Sequence, residues 1–206
     1  MNSVSDKDID EELAENEKLF EIRNVDNVVH RRTAKVSCAV RKWIEEEGLS
    51  AFTFNFLNIT KDAGFDTVPF LIASKLMAEG IGYAGEGDVL TASVVAALSQ
   101  ADGATSFSEM FCPDWQNDSI FLSHMGEMNH RLVAGKPILS EKEYPYSDAE
   151  NPAAVSGRFK EGDFHIVNPA PLPGGRYRLI IAPCRMLHVT GKDNMEGTVR
   201  GWFKPP

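Results

Sequence analysis

Three side chains in the middle of this chain have the chemistry of a divalent-metal site: Glu86 in GEGD, Glu109 in TSFSEMF and His124 in IFLSHMGEMN. Two carboxylates and an imidazole, with no thiolate among them, form a mixed oxygen and nitrogen donor set. Such a set suits Mn²⁺, Mg²⁺ or Co²⁺ better than a structural zinc ion. No other part of the sequence gathers metal-capable side chains onto segments that folding can bring together.

The local sequence says how each donor could be aimed. Glu86 lies between Gly85 and Gly87, residues without a Cβ that let the backbone bend sharply, so its carboxylate can point into a site. Asp88 is a predicted N-cap for the apolar run 89–98. Glu86 would then stand just before a helix N-terminus, where the positive end of the helix dipole favours an ionised carboxylate. Across 120–128 a period of two places Ile120, Leu122, His124, Gly126 and Met128 on one strand face, with Phe121, Ser123, Met125 and Glu127 on the other. An imidazole among apolar neighbours needs a partner for its buried nitrogen, and either a hydrogen bond or a metal would serve. Taken singly, each donor has a plainer reading: His124 as a hydrogen-bonded core histidine, and Glu109 as a solvated glutamate on a short strand expected over 106–111.

Around these residues the pattern predicts three zones. Residues 1–28 form an acidic N-terminal helix or arm, in which 8–22 carry a thin apolar stripe of Ile9, Leu13 and Phe20 and a charge run read as a solvated face. Residues 29–129 form an α/β segment. An amphipathic helix over 29–47, with Val36, Val40, Trp43 and Ile44 on one side and Gly48 at its end, is followed by the strand AFTFNF. Pro69 opens a second helix over 70–79, Gly80 closes it, and the strand IGYA leads to Glu86. This order predicts an α/β layer, a partial parallel sheet with helices, and puts the GEGD turn at a strand's carboxyl end, the edge that ligands favour. GEGD is no phosphate loop, because GxxxxGK[ST] does not follow its strand. Residues 130–206 change texture: prolines and glycines punctuate β-rich runs at 154–160, 164–168, 176–182, 186–190 and 198–203, with EGD at 161–163 and PGG at 173–175 read as hairpin turns. They predict an antiparallel β barrel or sandwich-like C-terminal module.

Composition narrows the function. With 206 residues and a net charge of −9, at a pI of about 5.1, the chain is a poor partner for nucleic acid or an anionic membrane, and phosphorylated substrates are disfavoured. The acidic first residues lack an apolar h-region and no uncharged apolar run is long enough to span a bilayer, so a cytoplasmic protein is expected. Cys38, Cys112 and Cys184 form no CxxC and argue against a disulfide framework, and Cys112, near the candidate site, has no identifiable activating base. His30 and His130 read as exposed.

The run GYAGEGDVLTASVVAAL, followed by TSFSEMF and LSHMGEMN, resembles the catalytic half of the L-arabinose isomerase family, within the wider L-fucose and L-arabinose isomerase group. AFTFNF, the helix ending LMAEGIGY and the late GWFKPP resemble further segments of that family, so the similarity runs over 34–206. The resemblance implies a β-barrel-like C-terminal domain and a divalent cation, usually manganese, held by Glu86, Glu109 and His124. It also implies that the two glutamates handle protons. The substrate would be a small sugar, a pentose or deoxyhexose, and the full-length protein a homo-oligomer with shared active sites. Aldose–ketose interconversion moves a hydrogen between C1 and C2 through an enediol. It therefore needs a base for a poorly acidic C–H and positive charge beside the two oxygens.

The family's substrate-binding N-terminal α/β half, and a second metal-binding histidine beyond its Trp-Lys-Pro segment, have no counterpart in these 206 residues. The expectation is therefore a truncated or partial isomerase. His165 and His188, on apparent strands, are weak candidates for a substitute ligand. The alternative reading is a catalytically silent sugar-binding or assembly relative. A metal-dependent hydrolase, in which the same ligands activate water, comes third.

Overall fold

The acidic N-terminal segment becomes helical because Ser5 and Asp8 cap it reciprocally: Ser5 Oγ accepts from Asp8 N at 3.2 Å, and Asp8 Oδ2 accepts from Ser5 N at 2.8 Å. A computed structural model describes residues 4–189 and 195–205. After helix α1 (Asp6–Leu19) come strand β1 (Glu21–Arg23) and helix α2 (Asn27–Glu46), the latter capped by Asp26, whose Oδ1 accepts from Val28 N at 2.7 Å. Strand β2 (Ala51–Thr53), helix α3 (Phe70–Ala78), strand β3 (Gly82–Ala84) and helix α4 (Val89–Asp102) complete the expected alternation, and β2 and β3 pair in parallel. Val36, Val40 and Ile44 of α2 enter the core with Ile72, Leu76, Met77 and Tyr83. Trp43, expected on the same face, stays 40 % exposed and packs its ring 6.0 Å from Phe54. Among the described residues no helix is long and apolar enough to cross a membrane.

Helix α3 reads FLIASKLMA, apolar on nearly every side, and every residue of it is buried. Its one charge is Lys75, 1 % exposed, whose Nζ lies 2.8 Å from Glu12 and 2.6 Å from Glu15 of α1. The acidic run of α1 is thus only partly a solvated face, because Glu12 turns inward to neutralise a buried lysine. His30 is buried rather than exposed, 3.4 Å from Asn16, and His130 is half-buried with its ring centroid 5.4 Å from that of Phe20.

The remaining strands are β4 (Glu109–Asp114), β5 (Ser119–His124), β6 (Ile138–Glu141), β7 (Ala153–Arg158), β8 (Gly162–Leu172), β9 (Arg176–Met186) and β10 (Val199–Lys204). They form one sheet with β1, in the order β1-β6-β7-β10-β5-β4, while β9 also pairs with β10 and carries β8. The antiparallel module expected over 130–206 is a mixed, open sheet: β1 pairs parallel to β6, β7 pairs parallel to β10, and among the described residues no pairing of β1 with β4 closes a barrel. PGG makes the β8–β9 hairpin, with positive φ at Gly174 and Gly175, but EGD is not a hairpin turn, because β7 pairs with β6 and β10 rather than with β8. Of the run 186–190, only Met186 is in a strand, 187–189 are irregular, and residue 190 lies outside the described residues.

Removing one partner of a buried ion pair strands the other charge. Lys75→Ala is expected to lower the unfolding free energy by about 3 kcal/mol or more, measured by urea denaturation; a change within experimental error would show that Glu12 and Glu15 do not depend on it.

Candidate metal centre

Glu86 stands at the carboxyl end of β3, in the turn that hands the chain to α4. Asp88 caps that helix as predicted, its Oδ1 accepting from Thr91 N at 2.9 Å and its Oδ2 from Thr91 Oγ1 at 2.6 Å. Thr53 of β2 pins the turn: its Oγ1 donates to Ala84 O at 2.7 Å and accepts from Gly87 N at 3.1 Å. Helix α4 can sit this close because β3 begins at Gly82, where a Cβ would stand 2.6 Å from Ala96 N. Gly87 takes a φ of 82°, and Glu86 itself takes 63°, a left-handed conformation that L side chains rarely adopt.

Glu109 opens β4 opposite Ser123, and His124 closes β5 opposite Val199 of β10. Carboxylate oxygens of Glu86 and Glu109 and a ring nitrogen of His124 lie within 4.8 Å of one another, the one such group of three or more His, Cys, Asp or Glu among the described residues. Glu86 is exposed, Glu109 intermediate and His124 buried. Donors on a single ion at ~2.2 Å sit roughly 3 to 4.4 Å apart, so the three are gathered to within a small closure of a coordination sphere. His165 and His188 do not join them. His165 is exposed on β8, and His188, also exposed, has its Nδ1 2.9 Å from Glu161.

Behind His124 lies a residue that the alternation over 120–128 assigned to the opposite face. The strand ends at His124, the chain bends at Met125 and Gly126, and Glu127 returns beneath the imidazole, its Oε2 2.7 Å from His124 Nδ1 in ion-pair contact, though outside the angles of a straight hydrogen bond. Tyr83 of β3 donates its hydroxyl to Glu127 Oε1 at 2.9 Å. The sequence signal for the bend was Gly126, where a Cβ would meet the Cβ of Ala154 at 2.6 Å; glycine inside a strand pattern often marks such a break.

Burial pushes the Tyr83 phenol well above its ordinary pKa, and the Glu127 carboxylate adds to the shift, so Tyr83 remains a donor. Burial acts against protonation of His124, but Glu127, and after it Glu109 and Glu86, outweigh it and raise its pKa. No lysine or arginine among the described residues forms an ion pair with Glu86, Glu109 or Glu127. Three carboxylates around one imidazole therefore converge without a lysine or arginine partner among the described residues, and a divalent ion would fit both their charge and their donor types. Cys112 is exposed; Cys38 and Cys184 are buried, and burial pushes the Cys38 thiol up to about 11.

Residues 1–103 match the family model of the L-arabinose isomerase central domain, which is half of the chain. The chain belongs to the L-arabinose isomerase family. It is 31% identical over 197 residues to the L-arabinose isomerase of Clostridium beijerinckii, covering 92% of this chain and 39% of that protein. It is 30% identical over 191 residues to L-arabinose isomerase 2 of Bacillus licheniformis (88% and 40%) and 28% identical over 194 residues to the L-arabinose isomerase of Salmonella arizonae (88% and 38%). The chain spans about two fifths of the length of the curated relatives it matches.

The left-handed backbone at Glu86 has a cost that glycine would not bear. Without added metal, Glu86→Gly is expected to raise the unfolding free energy by about 0.5–1 kcal/mol, read from paired denaturation curves. A loss of stability would mean that the Glu86 side chain makes contacts worth more than its strained backbone.

Proposed function

We propose that this chain carries the catalytic centre of a metal-dependent aldose–ketose isomerase acting on L-arabinose or a closely similar pentose or deoxyhexose. The observation that supports this reading best is the convergence of Glu86, Glu109 and His124 within 4.8 Å at the carboxyl end of a parallel strand. In the proposed centre all three hold a divalent cation, Mn²⁺ by preference. When bound, the cation supplies positive charge beside O1 and O2 of the sugar as negative charge develops there.

The protein's own task is proton handling. In the aldose-to-ketose direction the C2–H bond breaks and a carboxylate holds the proton. The C1–H bond then forms, while O2 loses its proton and O1 gains one. Glu86 and Glu109 are the two carboxylates near enough to each other to serve adjacent carbons. His124, buried and engaged by Glu127, is assigned to orienting the cation rather than to proton transfer.

The test replaces the matching two fifths of the Clostridium beijerinckii relative with this chain and follows Mn²⁺-dependent conversion of L-arabinose to its 2-ketose. Glu86→Gln or Glu109→Gln should lower kcat by roughly 10²–10⁴-fold with the fold intact, whereas His165→Gln and His188→Gln should leave it near the unsubstituted level. An active chimera indifferent to both glutamate substitutions would overturn the assignment. A folded chimera that binds sugar without converting it would favour a catalytically silent relative.

For the chain itself, stripping with chelator and adding Mn²⁺ should raise the melting temperature, because an ion bound only to the folded state stabilises it by about 2.7 kcal/mol at a hundred times its Kd. A melting curve unmoved by Mn²⁺ would argue against a site in this chain.

A further inference from the structure

Glu127 is fully buried, yet the proposed chemistry gives it no step. A carboxylate so placed is costly unless donors meet it. The Tyr83 hydroxyl donates to Oε1 at 2.9 Å, and His124 Nδ1 stands in ion-pair contact with Oε2 at 2.7 Å. The backbone that carries it is fixed on both sides. Gly126 is pressed against Ala154, and Met128 N donates to Ser74 Oγ of α3 at 3.2 Å. Tyr83 is held by ring contacts with Phe52 and Phe107, and Phe107 packs edge-on to the His124 ring at 4.8 Å. The imidazole thus rests between an aromatic wall and a carboxylate.

At 2.7 Å a bare ring nitrogen and a carboxylate oxygen would be two acceptors in repulsion, so one of the pair carries a proton. With that proton on Nδ1, the neutral ring keeps its lone pair on Nε2. We propose that Glu127, oriented by Tyr83, is a positioning residue that fixes the Nδ1–H form of His124 and so leaves Nε2 as the donor to the cation. The inference rests on the metal reading above, and it adds two residues that periodicity did not single out.

The experiment uses the whole chain and needs no turnover. Mn²⁺ affinity is measured from the free-ion electron paramagnetic resonance signal, and the His124 tautomer from ¹⁵N-histidine spectra of the metal-free chain, the resonance being assigned with His124→Gln. Glu127→Gln should weaken Mn²⁺ binding by about 10–100-fold and shift His124 away from the Nδ1–H form. Tyr83→Phe should weaken it by a smaller factor in the same direction. The double variant should be no weaker than Glu127→Gln alone, because Tyr83 acts through Glu127. Circular dichroism checks that each variant folds; if Glu127→Gln does not, Tyr83→Phe and the wild-type spectrum still decide. Equal affinities in all variants, or a wild-type His124 protonated on Nε2 with Nδ1 bare, would overturn this inference and leave the metal centre standing. A wild-type chain that takes up no Mn²⁺ would overturn both.

Discussion

A helix with no wet face sets the geometry of this molecule. Helix α3 contributes Ile72, Ala73, Leu76 and Met77 to the core shared with α2, β3 and α4, Leu71 to the core beneath the large sheet, and Phe70 to a third cluster with Ile59 and Tyr144. Its polar side chains then act as fixed reference points. Ser74 ties down Met128, and Lys75 draws α1 inward through Glu12 and Glu15. Because α3 can shift in no direction without opening a core, the loop holding Glu127 and the strand holding Tyr83 are registered against the same rigid body.

The candidate centre stands where that rigidity meets two unfavourable choices. A glutamate occupies a left-handed backbone position flanked by glycines that could take it more cheaply, and a buried carboxylate faces an imidazole with no lysine or arginine among the described residues in ion-pair contact with it. Neither choice helps folding. Backbone strain and buried ionisable groups of this kind concentrate at functional sites, where the surrounding structure holds them in place.

Much of this was legible in the chain. The α/β alternation, the Asp88 cap, the Gly80 and Gly48 helix ends and the PGG hairpin follow from short-range rules, and the structure has them. Glu86, Glu109 and His124 were legible as a group through the family resemblance of their three motifs, since each alone had a plainer reading, and the fold does bring them together. What failed depended on long-range pairing. Nothing local says that residues 21–23 will lie parallel to β6, that β7 will lie parallel to β10, or that Glu12 will meet Lys75. Glu127 was missed for a related reason: periodicity continues through any run of suitable residues, whereas the strand stops at the residue where the backbone must turn.

The β8–β9 ribbon carries a consequence of its own. Its root lies in the cluster of Leu122, Cys184, Met186 and Phe203, and its register with β10 extends only over Met186 and Arg185, while farther out Tyr177, Leu179, Ile180 and Ile181 are exposed. Beyond that root, among the described residues, each strand's ladder partner is the other strand. A ribbon held in this way exchanges its amides with solvent from the glycine tip inward, ahead of the strands that carry Glu109 and His124.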